Sequence, residues 1–174
     1  MGDTDGYTVI TDIRQVDFND EMAVMNEIGR FAETYAYAGV EHALVITPAG
    51  NAYSLRGTEL SVNPGIISRD ELVGSIVVHN HPGSEADSFS RYDFASFFDL
   101  GLSREEVVFG SLHHTMRYIG VPVTPNKAND LYRIAFNDVR RNAMQTGIPI
   151  KHEQLETMRQ LSRTMEGLIF NENT

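Results

Sequence analysis

Ser75–Asp93 reads SIVVHNHPGSEADSFSRYD, and the rest of the chain is arranged around it. Ile76-Val77-Val78 is apolar and β-branched, the composition of a strand. His79 and His81 follow at a spacing of two. Side chains alternate faces along a strand, so both imidazoles point to one side and reach one point. Pro82-Gly83 ends the strand. Ser84 to Ser88 reads as a polar loop. Ser88 or Ser90 then opens a helix that runs to about Leu100 and stops at Gly101, with Phe94, Phe97 and Phe98 facing the core. Asp93 is a hard anionic oxygen ligand one helical turn beyond Ser90, so both residues can face the same point. Two imidazoles and one carboxylate form the three-ligand set of a catalytic zinc, with the fourth position open to water. Asp87 is the rival carboxylate if the loop folds otherwise. For the two histidines taken alone, an ordinary hydrogen-bonded pair is the competing reading.

Upstream, Val40–Thr47 (VEHALVIT) is a strong strand pattern; Pro48–Asn51 makes a turn and Ala52–Arg56 returns as a hairpin. Glu41 stands at the entrance of the first strand. His42 takes the opposite face and is not counted as a ligand. Ser68–Val73 opens with the Ser-x-x-Glu form of a capping box and reads as a short helical turn. Tyr7–Ile10 suits a short edge strand. Asp17 or Asn19 caps a helix that runs to about Tyr37 and stops at Gly39, with Met22, Met25, Ile28, Ala32 and Tyr35 as its apolar face. Downstream, Ser103–Glu106 reads as another capped turn. Val107–Leu112 and Met116–Val121 read as paired strands, with His113-His114-Thr115 as the turn between them. Pro122 and Pro125 mark a boundary. Two helices follow, Asn129–Thr146 and Lys151–Phe170; the second carries an apolar stripe of Leu155, Met158, Leu161, Met165, Leu168 and Ile169.

The chain has 174 residues, enough for one domain with a full core. It has no cysteine, so any metal must be held by histidine and carboxylate, and a cytoplasmic location is expected. The start, MGDTDGYTVI, is acidic and polar, unlike a signal peptide. No apolar run reaches the length of a membrane span, so no membrane partner is expected. A net charge of −10 works against direct nucleic-acid binding, which needs clustered cations. It suits a partner with a basic face, or plain solubility.

The whole string resembles the motif of JAMM (also called MPN-plus or JAB) metallopeptidases: an upstream Glu, then His-x-His-Pro, a seven-residue gap and Ser-x-x-Asp. The wording His79-Asn80-His81-Pro82 is closest to the RadC-like branch. Here the gap holds eight residues, Pro82 to Phe89. The additional one falls in the polar loop, where an insertion costs little. The resemblance spans roughly Val40 to Gly120. It implies an α/β fold, a mixed curved sheet flanked by helices in a cytidine-deaminase-like three-layer sandwich. Residues 1–124 are then the JAB/MPN-like metal-binding domain. Residues 125–174 are a C-terminal helical pair packing on that domain or on a second copy in a homodimer. The resemblance further implies zinc held by His79, His81 and Asp93. Glu41 would be the base that takes a proton from water, with Glu59 as the alternative, and Ser90 a donor to the oxyanion. The implied activity is hydrolysis of an amide or isopeptide bond in a peptide or protein, a ubiquitin-like protein among the candidates. Two other functions stay open: a RadC-like accessory protein of DNA repair or mobile elements, and a non-catalytic MPN scaffold.

Overall fold

The computed structural model describes residues 7–83 and 87–173. In chain order the elements are β1 (Val9–Gln15), α1 (Glu21–Tyr35), β2 (His42–Ile46), β3 (Asn51–Arg56) and a 3-10 turn over Pro64–Ile66. Next come α2 (Arg69–Leu72), β4 (Ile76–Asn80), α3 (Arg91–Leu100), β5 (Arg104–Phe109) and β6 (Leu112–Tyr118). The chain closes with α4 (Pro125–Thr146), α5 (Glu153–Thr164) and β7 (Leu168–Asn173). Of the stretches discussed above, Ser84–Ala86 of the polar loop and Met1–Gly6 of the acidic start lie outside the described residues.

The seven strands form one sheet in the order β1-β3-β2-β4-β5-β6-β7. β4 and β5 run parallel and the other pairs are antiparallel, so the sheet is mixed. β4 lies in the middle, which suits its unbroken apolar run. Parallel neighbours need a crossover, and α3 supplies it. The sheet is covered on both faces. On one, Val24, Ile28 and Phe31 of α1 pack on Leu44, Ile46, Ile76, Val78 and Val108. On the other, Phe94 and Phe97 of α3, Ala128 and Tyr132 of α4 and Met158 and Leu161 of α5 pack on Ala43, Val45, Val77 and Val107. The alternation of Ile76, Val77 and Val78 between the two cores sets which side the histidines take.

Several local readings differ from this structure. Asp20 caps α1, its Oδ1 accepting from the amides of Met22 (3.0 Å) and Ala23 (3.2 Å); Asp17 instead bonds the Asn19 amide. The helix ends at Tyr35 rather than near Gly39. Its buried stripe is Val24, Glu27, Ile28 and Phe31, while Met22 and Met25 are exposed. The stripe is rotated because Glu27 is inside, paired with Arg14 of β1 (2.9 Å) and with Arg30. A pattern that places every glutamate outside picks the wrong face. At α2, Ser68 donates to the Glu71 carboxylate (2.9 Å) instead of capping the backbone.

The largest differences fall late in the chain. Arg104-Glu105-Glu106 is not a capped turn but the start of β5, and Glu105 and Glu106 are buried. His113-His114-Thr115 lies inside β6; the turn is Gly110-Ser111, with Gly110 at φ 58°. Thr124 caps α4 and Pro125 is its first residue, so the helix starts before Asn129. The second C-terminal helix stops at Thr164, and Leu168 and Ile169 belong to β7, which pairs with β6. In the sequence the helical stripe runs on because Met165 and Leu168 keep its period across the break. Residues 125–173 are therefore helix, helix and strand, and they complete the same sheet and the larger core. Among the described residues no helix is long and apolar enough to cross a membrane.

Candidate metal centre

β4 delivers His79, and His81 follows one residue past its end, its amide donating to the Val108 carbonyl (3.2 Å). Both rings take the face of α3, α4 and α5. Their Nε2 atoms stand 3.1 Å apart. Asp93, in the first turn of α3, brings Oδ1 to 3.6 Å from His79 Nε2 and Oδ2 to 3.4 Å from His81 Nε2. The three side chains form a group that could hold a metal ion. Ligands at about 2.0–2.1 Å around a tetrahedral centre are about 3.4 Å from one another, and cis ligands of an octahedron at that bond length about 2.9 Å. The observed separations of 3.1, 3.4 and 3.6 Å span the range between these two spacings.

Asp93 is held by the helix it opens. Ser90 is the N-cap of α3: its hydroxyl oxygen accepts from the Asp93 amide (3.2 Å), and the Ser90 amide donates to Asp93 Oδ2 (2.7 Å). This reciprocal box orients the carboxylate, and Ser90 itself lines the cleft. Burial would raise the Asp93 carboxyl, but the two imidazoles beside it hold it well below the usual carboxylate range. Asp87, the rival carboxylate, turns away. Its Oδ1 accepts from the Leu155 amide (3.1 Å) at the start of α5, and its Oδ2 stands 3.5 Å from His152.

Glu41 sits just before β2 and lines, with His81, Ser90 and Asp93, a cleft of about 530 Å³. Its backbone is pinned by the Thr58 carbonyl (2.7 Å) and the Gly57 amide (2.8 Å). Its carboxyl is pushed up to about 7, chiefly by burial; Asp93 adds to the rise, while His81 and a bond from the Val62 backbone oppose it. Glu59 lies on the same cleft but is exposed. His42 stacks on Tyr35 (ring centroids 4.0 Å) on the other side of the sheet. His114 is buried against Phe109 and Phe170 with Nδ1 3.1 Å from Ser88 Oγ, and burial pulls its pKa down to about 4, so the ring is neutral. His113 pairs with Glu106.

Three further residues build the site. Asn80, between the two histidines, points to the other face, where Oδ1 accepts from the His42 amide (2.6 Å) and Nδ2 donates to the Val40 carbonyl (3.1 Å). It thereby brackets Glu41 from both sides and couples the histidine strand to the strand that carries that carboxylate. Gln154 of α5 reaches the cleft and accepts from the Asp87 amide (3.2 Å), tying the loop before Asp93 to the C-terminal helices. Glu105 of β5 lies behind His79, its Oε1 3.5 Å from Nδ1. Burial and the charge of Asp93 push the Glu105 carboxyl well above the usual range. An asparagine after a strand histidine carries a readable hydrogen-bonding signal. Glu105 and Gln154 carry none, because each meets the site only through tertiary packing. Compared with known proteins, the chain matches no family model, no curated protein and no solved structure.

Proposed function

We propose that this cleft is the active site of a zinc-dependent hydrolase that cleaves amide or isopeptide bonds in peptides or proteins. The observation that carries the reading is the joint placement of two imidazoles and a carboxylate within reach of one ion and of a carboxyl poised near neutrality in one cleft. The likeness of the histidine stretch to the JAMM motif supports the same chemistry and extends the substrate class to the tail of a ubiquitin-like protein. His79 and His81 bring two imidazole nitrogens and Asp93 a carboxylate, a donor set suited to zinc. When bound there, zinc supplies Lewis acidity, polarising the scissile carbonyl and making water easier to deprotonate. Glu41 takes a proton from the attacking water as its oxygen joins the carbonyl carbon. It then passes that proton to the nitrogen as the C–N bond breaks, so the products are a carboxylic acid and an amine. Ser90 donates its hydroxyl proton to the oxygen on which negative charge develops. Leu60 and Val62 line the same cleft as Glu41.

The test is elemental analysis of protein purified without chelator, followed by a panel of peptide and isopeptide substrates. One zinc per chain, lost in His81→Ala, with zinc-dependent cleavage, is expected. Iron in place of zinc points to an oxygen-activating centre, which also uses two histidines and a carboxylate. Zinc with no cleavage across the panel favours a binding scaffold.

A further inference from the structure

We propose that Glu105 is a positioning residue of the metal centre: its carboxylate accepts the Nδ1 proton of His79 and thereby sets the tautomer in which Nε2 faces the ion. The proposal rests on the metal reading of the site but not on any reaction performed there. β5 runs parallel to β4, and Glu105 pairs with Val77, two residues before His79 and on the same face. The sheet register thus places the carboxylate behind the ring. Oε1 lies 3.5 Å from Nδ1, a few tenths of an ångström beyond a hydrogen bond. Nε2 of His79 is turned toward His81 and Asp93, so Nδ1 is the ring nitrogen left to face Glu105. Glu105 is only 4% exposed, its Oε2 has no partner, and among the described residues no lysine or arginine pairs with it.

A buried carboxylate needs a compensating charge. The centre provides one. A divalent ion, Asp93 and Glu105 sum to zero, with neutral His79 relaying between ion and carboxylate. His81 differs: its Nδ1 is buried without a partner. The two histidines are therefore unequal ligands, one backed by a carboxylate at Nδ1 and one with no partner there. Carboxylate, histidine and metal in line are a general means of orienting an imidazole and raising its basicity.

The test uses the full chain and zinc alone. Competition titrations against a chromophoric chelator compare the parent, Glu105→Gln and His81→Ala. Nitrogen-15 spectra of the imidazoles report tautomers. Glu105→Gln keeps shape but removes the charge. It is expected to weaken zinc binding by about 10- to 100-fold and, in the zinc-loaded protein, to let the His79 Nδ1 proton exchange faster than in the parent. In the zinc-loaded parent, the His79 Nδ1 proton is expected to exchange more slowly than that of His81. A folded Glu105→Gln that binds zinc within twofold of the parent overturns the proposal while the metal reading stands. If the variant does not fold, the zinc-loaded parent's spectra decide: a His79 Nδ1 proton exchanging as fast as that of His81 overturns it. A parent that takes up no zinc overturns both this proposal and the metal reading.

Discussion

Glu41 is the residue at which chemistry and metal binding separate. Glu41→Gln keeps the shape and most of the hydrogen bonding but cannot accept a proton. It is expected to bind zinc as the parent does and to lose amide hydrolysis by about 100-fold or more, whereas His79→Ala loses both. Zinc content and turnover, measured on the same preparations, check this; an active Glu41→Gln beside a dead Glu59→Gln transfers the role of base to Glu59. The same substitution has a pH signature. The Glu41 carboxyl rises from 4.5 to about 7 on folding, so over that window the folded state holds its proton more tightly than the unfolded chain. Stability from this group is therefore lost as pH rises through the window. In chelator, Glu41→Gln should melt with the parent near pH 4 and above it at pH 8. Equal melting temperatures at pH 8 would mean that the carboxyl is not strained by burial.

The elements that set the site are held by contacts between elements more than within them. α3 begins where Ser90 and Asp93 exchange hydrogen bonds, and it stops at Gly101 in the left-handed region, φ 66°. These are local devices, readable from Ser-x-x-Asp and a following glycine. The α5–β7 turn is different. Gly167 adopts φ 88°, and a Cβ there would lie 2.5 Å from the Gly120 amide nitrogen. Gly167→Ala combines backbone strain with a clash against main chain and should destabilise the fold by about 1–3 kcal/mol. Denaturant unfolding measures it. A loss under about 0.5 kcal/mol, the usual limit for a harmless surface change, would mean that the turn relaxes freely.

For the whole molecule, the C-terminal segment decides whether the site exists. α4 and α5 cover Phe94 and Phe97, and β7 covers the edge of β6. Gln154 and the Leu155 amide hold the loop that ends at Ser90 and Asp93. A chain ending near Thr124 exposes this apolar face and an unpaired strand edge together, a combination that drives association. It should lose solubility or change mass in solution, and its zinc affinity should fall with the anchoring of the loop. Light scattering and metal titration check both. A shortened chain that stays soluble, folded and unchanged in mass would show that the larger core forms without these helices.

The sequence by itself determined that β4 is a strand that carries His79 and leads to His81 on the same face, that a helix opens at Ser88 or Ser90, and that β2 and β3 form a hairpin. Each follows from chain geometry within a few residues: alternation, helical pitch, capping and turns. Only the tertiary structure decided that Glu27, Glu105 and Glu106 are inside, that Asp87 serves α5 rather than the metal group, that Leu168 and Ile169 leave the helix for a seventh strand, and that Gln154 reaches the cleft. Charged residues read as surface residues unless their partners are known. Those partners, Arg14 for Glu27, Arg104 and His113 for Glu106 and His79 for Glu105, come mostly from other strands or from far along the chain. The free energy that holds a buried carboxylate in place lies in those contacts, and local pattern carries no record of them.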